Sequence, residues 1–164
     1  GLRRSPHNLL LDPICARESA TFAGPAQPVF VHGYGDVDTP GTDAPVVSVE
    51  MSGLTPTWRW DRASGRYLRS QRGGAHVDVD GERVAAANVV VLHVKYVTSE
   101  ADELSPEAVT VGYGPATVYR DGVAIEATWS RPDRFSAYAL VDLEGDPVPL
   151  APGPTWIELP RQRG

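Results

Sequence analysis

His76, Asp78 and Asp80 occupy alternate positions of a run with β character, so an extended strand turns all three toward one face. A histidine beside two carboxylates suits either a divalent cation or a general-base pair. No further ligand spacing supports a metal, and Asp80-Gly81 is also a turn pair, which gives Asp80 a purely conformational role. The expectation is no metal and no cofactor, with His76 and Asp78 as a polar pair.

A second constellation lies just upstream. Arg59, Arg62, Arg66, Arg69 and Arg72 stand against a single aspartate, Asp61, in a chain whose net charge is −6. A turn centred on Ser64-Gly65 places Trp58, Trp60, Tyr67 and Arg69 on one face. Arginine beside aromatic rings suits an anionic or sugar-like ligand, through bidentate hydrogen bonds and cation–π contacts. The competing reading is core packing, with Arg69 covering the two tryptophans. Tyr67, Arg69, His76 and Asp78 belong to neighbouring strands joined by residues 71–75, and pairing of those strands brings the four together. They form the candidate ligand site, with Arg69 holding a carboxylate from either Asp78 or a ligand. No catalytic residue is identified.

Other reactive side chains carry less. Cys15 reads as a small buried apolar residue, and His93, inside an apolar run, as a satisfied core histidine. His7-Asn8 reads as polar packing. Ser130 and Ser136 lack a nucleophile-elbow context. Gly33-Tyr34-Gly35 has no following helix signal and is a loop, not a phosphate cradle.

The elements that must position these groups are mostly strands. Residues 5–20 read as short helix or irregular structure, opened by Ser5-Pro6 and limited by Pro13. Residues 23–45 are loop, with a short strand at 29–31. Strands are expected at 46–51, 57–60, 66–69 and 76–79, the last running into a two-residue hairpin at Asp80-Gly81. Residues 88–97 form one apolar run, expected to be a strand buried on both faces. Residues 99–107 read as a short helix. Asp121-Gly122 is a second hairpin signal. It sets Val118 opposite Ile125 and puts Val123, Ile125, Ala127 and Trp129 on one core face. Further strands follow at 138–143, 148–150 and 156–159.

Composition bounds the function. The 164 residues suit one domain, and 16 Gly with 15 Pro favour short strands and frequent turns. An acidic chain, pI near 5.1, is a poor nucleic-acid binder. The single cysteine excludes an internal disulfide. No apolar run approaches the roughly 18 residues of a membrane span, and no signal peptide is present.

Arg4-Ser5-Pro6-His7-Asn8-Leu9, Tyr67-Leu68-Arg69, His76-Val77-Asp78, Asn88-Val89-Val90-Val91, the hairpin at 114–131 and the segment 153–159 follow one another in an order and spacing that resembles the C-terminal region of the YerB-like family of bacterial lipoproteins. That family has no assigned function. The resemblance implies an exported envelope protein, anchored to the membrane through an upstream segment. It also implies a longer protein, whose N-terminal half is a potential partner.

The expected fold is a single mainly-β domain, α+β at the margin. A meander of hairpins packs as a sandwich or partly closed barrel, with one or two short helices. The expected function is non-enzymatic, an extracytoplasmic module binding an envelope glycan, an anionic polymer or a protein. The alternative is a hydrolase or transferase acting on envelope material through His76, Asp78 and Arg69.

Overall fold

The computed structural model describes residues 12–19, 28–31, 34–35, 41–51, 53–100 and 104–161. A short helix α1 (Pro13–Ser19) is followed in chain order by β1 (Thr42–Asp43), β2 (Val46–Ser48), β3 (Thr57–Asp61), β4 (Arg66–Gln71), β5 (Gly74–Ala75), β6 (Ala85–Ala86), β7 (Asn88–Leu92), β8 (Lys95–Thr98), β9 (Pro106–Val109), β10 (Gly112–Arg120), β11 (Val123–Arg131), β12 (Ala139–Asp142) and β13 (Thr155–Glu158). No helix among the described residues is long and apolar enough to cross a membrane.

The strands form a sandwich, not a closed barrel. One sheet has the order β1-β11-β10-β7-β13, with β12 also on β11; the other runs β2-β3-β4-β5, with β6 also on β4. All pairs are antiparallel except β13 with β7. Every residue of β7 is buried, as its uninterrupted apolar sequence predicts. Val89 and Val91 face the second sheet and pack with Val47, Trp58, Tyr67 and Trp156. Val90 and Leu92 face the opposite way, into a second core with Val118, Ile125, Trp129 and Leu140.

Two of the turns follow their sequence signals. Asp121 and Gly122 both have positive φ (53° and 82°), the backbone of a type I′ hairpin, and the expected pairing of Val118 with Ile125 is present. Val118, Ile125 and Trp129 are buried and Val123 partly so. In the β3–β4 hairpin the Asp61 carboxylate accepts from the Ser64 hydroxyl (2.6 Å) and amide (3.1 Å), which holds it below the usual carboxylate range. Trp58 pairs with Arg69 and Trp60 with Tyr67, as the turn position requires.

Six expectations change. Residues 76–79 and 148–150 are not strands and pair only through isolated bridges at Val77 with Arg83 and Leu150 with Tyr34. The run at 88–97 is two strands, because β7's neighbour at this point is Pro115. His93 N–H donates to the Pro115 carbonyl (3.0 Å), but proline has no N–H to return the bond. The His93 carbonyl instead accepts from Trp129 Nε1 (3.2 Å), and the chain turns away as β8 to pair with β9. Within 99–107, the described residues from Pro106 onward are strand, not helix. Pro13 opens the helix: the Asp12 carboxylate caps it, accepting from Ile14 N (2.8 Å), and Pro13 takes the first helical position. Cys15 on that helix is exposed, since α1 buries none of its residues. Ser5-Pro6 and His7-Asn8 lie outside the described residues.

Candidate functional site

Alternation along β4 turns Tyr67 and Arg69 inward together, while Arg59, Arg62, Arg66 and Arg72 stay in solvent. Tyr67 is wholly buried between Trp60 (ring centroids 5.0 Å) and Tyr119 (6.4 Å). Its hydroxyl donates to the Ala44 carbonyl (3.0 Å), and burial, reinforced by Tyr119 and Asp121, pushes its pKa far up. This is a neutral core phenol that ties the residues between β1 and β2 to the hairpin.

Arg69 is the centre of a polar staple between the two sheets. Its guanidinium lies over the rings of Trp156 (4.9 Å) and Trp58 (5.6 Å). Nη1 donates to Gln71 Oε1 (2.8 Å) and stands 2.8 Å from His76 Nδ1. A guanidinium only donates, so His76 Nδ1 must accept, and neutral His76 carries its proton on Nε2. Arg69 Nε sits 3.6 Å from Glu158 Oε1, an ion-pair distance too long for a hydrogen bond, and this N–H has no hydrogen-bond partner. Trp58 Nε1 donates to the same carboxylate oxygen (3.2 Å). His76 is half-buried, edge-on to Trp156.

Asp78 stands apart. It is exposed, and its Oδ1 accepts from the amides of Asp80 and Glu82 (both 2.9 Å), closing the 78–82 turn. The carboxylate beside Arg69 is therefore Glu158. Of the four candidate residues, Arg69 and His76 touch, Tyr67 lies deeper on the same strand face, and Asp78 does not join them. Among the described residues no three His, Cys, Asp or Glu side chains gather as a potential metal site.

Glu158 escaped the sequence reading because it belongs to the other sheet, on a strand far along the chain. Its signal was present nonetheless: within Trp156-Ile157-Glu158-Leu159 the carboxylate shares a face with Trp156, so burying that face buries a charge that needs a cation. Chemically, the staple turns its donors and acceptors on one another, apart from the unpartnered Arg69 Nε–H. It binds the sheets together and leaves little free toward solvent.

Two concavities lie elsewhere. A groove of about 830 Å³ runs along the start of β10 and is lined in part by Val111, Tyr113, Trp129 and Leu143, with Lys95 and Glu126 also on its wall. Tyr113 and Leu143 are 82% and 77% exposed. A second cleft, of about 490 Å³, opens between β2 and the end of β7 and includes His93. His93 is thus half-buried at a cleft, not a core histidine.

A family model described as the C-terminal domain of a protein of unknown function (DUF3048) matches residues 47–157. No curated protein matches the chain. Among solved structures, the crystal structure of the YerB protein from Bacillus subtilis is similar, with a TM-score of 0.58 and 20% identity over 70% of this chain and 39% of that one. The likeness at that identity is one of fold, and this chain spans 39% of that neighbour's length.

Proposed function

Because the chain belongs to the DUF3048 C-terminal domain family, whose function is unknown, we propose that it is a non-catalytic docking module of a larger extracytoplasmic lipoprotein, covered along the β10 groove by that protein's upstream domain. The carrying observation is the pair of large apolar side chains, Tyr113 and Leu143, held in solvent at the groove. Exposed apolar surface gathered at a concavity with a polar rim is what an interface presents before it is covered. Lys95 and Glu126 supply the rim. The occupant is argued from length: a family defined as a C-terminal domain, and a fold neighbour of which this chain covers 39%, leave room for another domain in the same polypeptide.

The docking reading is preferred to the enzymatic alternative because Asp78 is bonded to turn amides and Arg69 is buried in the staple. Envelope location and a lipid anchor rest on the sequence resemblance alone and are part of the proposal. Hydrogen exchange on the full-length protein tests it. Amides of 112–114 and 142–144 should exchange more slowly in the full-length protein than in the isolated domain, and Tyr113→Ser with Leu143→Ser should remove the difference. Equal exchange in both forms would overturn the docking reading.

A further inference from the structure

The cleft between β2 and the end of β7 differs in kind from the Arg69 staple. Its floor is core: Val49 and Val91 are buried members of the inter-sheet cluster, and Tyr119 packs against that cluster. The sandwich opens here because β7 ends at Leu92, opposite Ala116 and just before Pro115, and no strand among the described residues continues across the gap. Ser48, Glu50, Thr55, His93 and Arg161 also line the opening.

The polar groups of Ser48, Thr55, His93 and Arg161 are free to hydrogen-bond a ligand. His93 is fixed by its backbone, whose amide and carbonyl are bonded to Pro115 and Trp129. The C-terminal wall is held by Val94 N–H donating to the Pro160 carbonyl (3.2 Å), and the Arg161 guanidinium rests over the Tyr96 ring (5.1 Å). Among the described residues, the imidazole of His93, the hydroxyls of Ser48 and Thr55 and the guanidinium of Arg161 have no hydrogen-bond or ion-pair partner. Polar groups gathered over an apolar floor, in a cavity of small-molecule size, are the usual makings of a ligand site.

We propose that this cleft binds an acidic sugar unit, its carboxylate or phosphate on Arg161, its hydroxyls on His93, Ser48 and Thr55, and its C–H face on Val49, Val91 and Tyr119. The Arg161 guanidinium takes the anionic group, the hydroxyl and imidazole groups and the Glu50 carboxylate on the same wall take the hydroxyls of a polyol, and the apolar floor selects a ring over a flexible chain. This site is independent of the β10 groove and does not need the upstream domain.

NMR titration of the full chain with glucuronate, glucose 6-phosphate, glucose and acetate tests it. One or both anionic sugars should saturate at millimolar concentration and shift the His93 and Tyr119 resonances, with glucose and acetate binding at least about tenfold more weakly. Preference between the two anionic sugars tells carboxylate from phosphate. Arg161→Met should weaken the preferred sugar by about tenfold or more with the melting temperature unchanged, because its side chain is exposed. His93→Gln should weaken it while leaving the acetate response unaltered. Absence of shifts with both anionic sugars, acetate binding as well as they do, or undiminished binding by Arg161→Met would overturn the assignment.

Discussion

Arg69 shows how a residue type suggestive of ligand binding can be required by packing instead. Its charge is buried at 5% exposure and compensated by Glu158, with its guanidinium over two indole rings that meet edge to face. Removing one partner of a buried ion pair leaves the other charge uncompensated, so Arg69→Met should destabilise the protein by about 3–5 kcal/mol. Adding Glu158→Gln removes the stranded charge while keeping an acceptor for Trp58 Nε1, and should restore part of that loss. Chemical denaturation of the two single variants and the double measures the coupling; a double variant equal to the sum of the singles would show that the pair is not coupled. The convergence of Arg69 with His76 was legible in the sequence because both flank one short connection. The identity of the carboxylate was not, because a parallel pairing of β13 with β7 brings Glu158 to them from the far end of the chain. Asp78 misled because an aspartate two residues before Asp80 serves equally well as a side-chain acceptor for turn amides.

At the scale of the element, the Asp121-Gly122 hairpin was read correctly from its local signal. Asp80-Gly81, by contrast, sits in the longer 78–82 turn, and the tight turn between β4 and β5 falls instead at Arg72-Gly73, both with positive φ. Asp121-Gly122 fixes the whole β10–β11 register, and the positive φ at Gly122 is what the turn demands. Gly122 carries a second constraint: a Cβ there would lie 2.9 Å from Cδ1 and Nε1 of Trp60. Gly145, at a similar φ of 93°, has nothing within 4 Å of its would-be Cβ. Gly145→Ala should therefore cost only backbone strain, about 1–3 kcal/mol, whereas Gly122→Ala should cost more by the displacement of Trp60. Comparing the two by denaturant titration isolates the contact, and equal losses would show that Trp60 yields freely. The break between β7 and β8 was illegible for the opposite reason. Nothing within residues 88–97 stops that strand; Pro115 does so from the neighbouring strand by withholding a hydrogen bond.

For the molecule as a whole, β7 is the shared wall of two cores. Val89 and Val91 belong to one, Val90 and Leu92 to the other, so neither core can lose order without exposing part of the other's lining. The sequence announced this in the unbroken Val-Val-Val-Leu run, though not which sheet would cover each face. Polar ties cross the same strand: buried Asn88 donates to the Ala151 carbonyl (2.8 Å) and accepts from the Ala151 amide (2.8 Å), fixing the chain before β13 to the start of β7. A sandwich tied in this way should unfold as one cooperative unit. Trp58, fully buried in the inter-sheet core, and Trp129, 2% exposed in the other, provide matched tests. Trp58→Ala and Trp129→Ala should each cost about 3–5 kcal/mol. Each should also move a single thermal transition, seen at the same midpoint by near-ultraviolet and far-ultraviolet circular dichroism. Two separated transitions in either variant would mean that β7 does not couple the two cores.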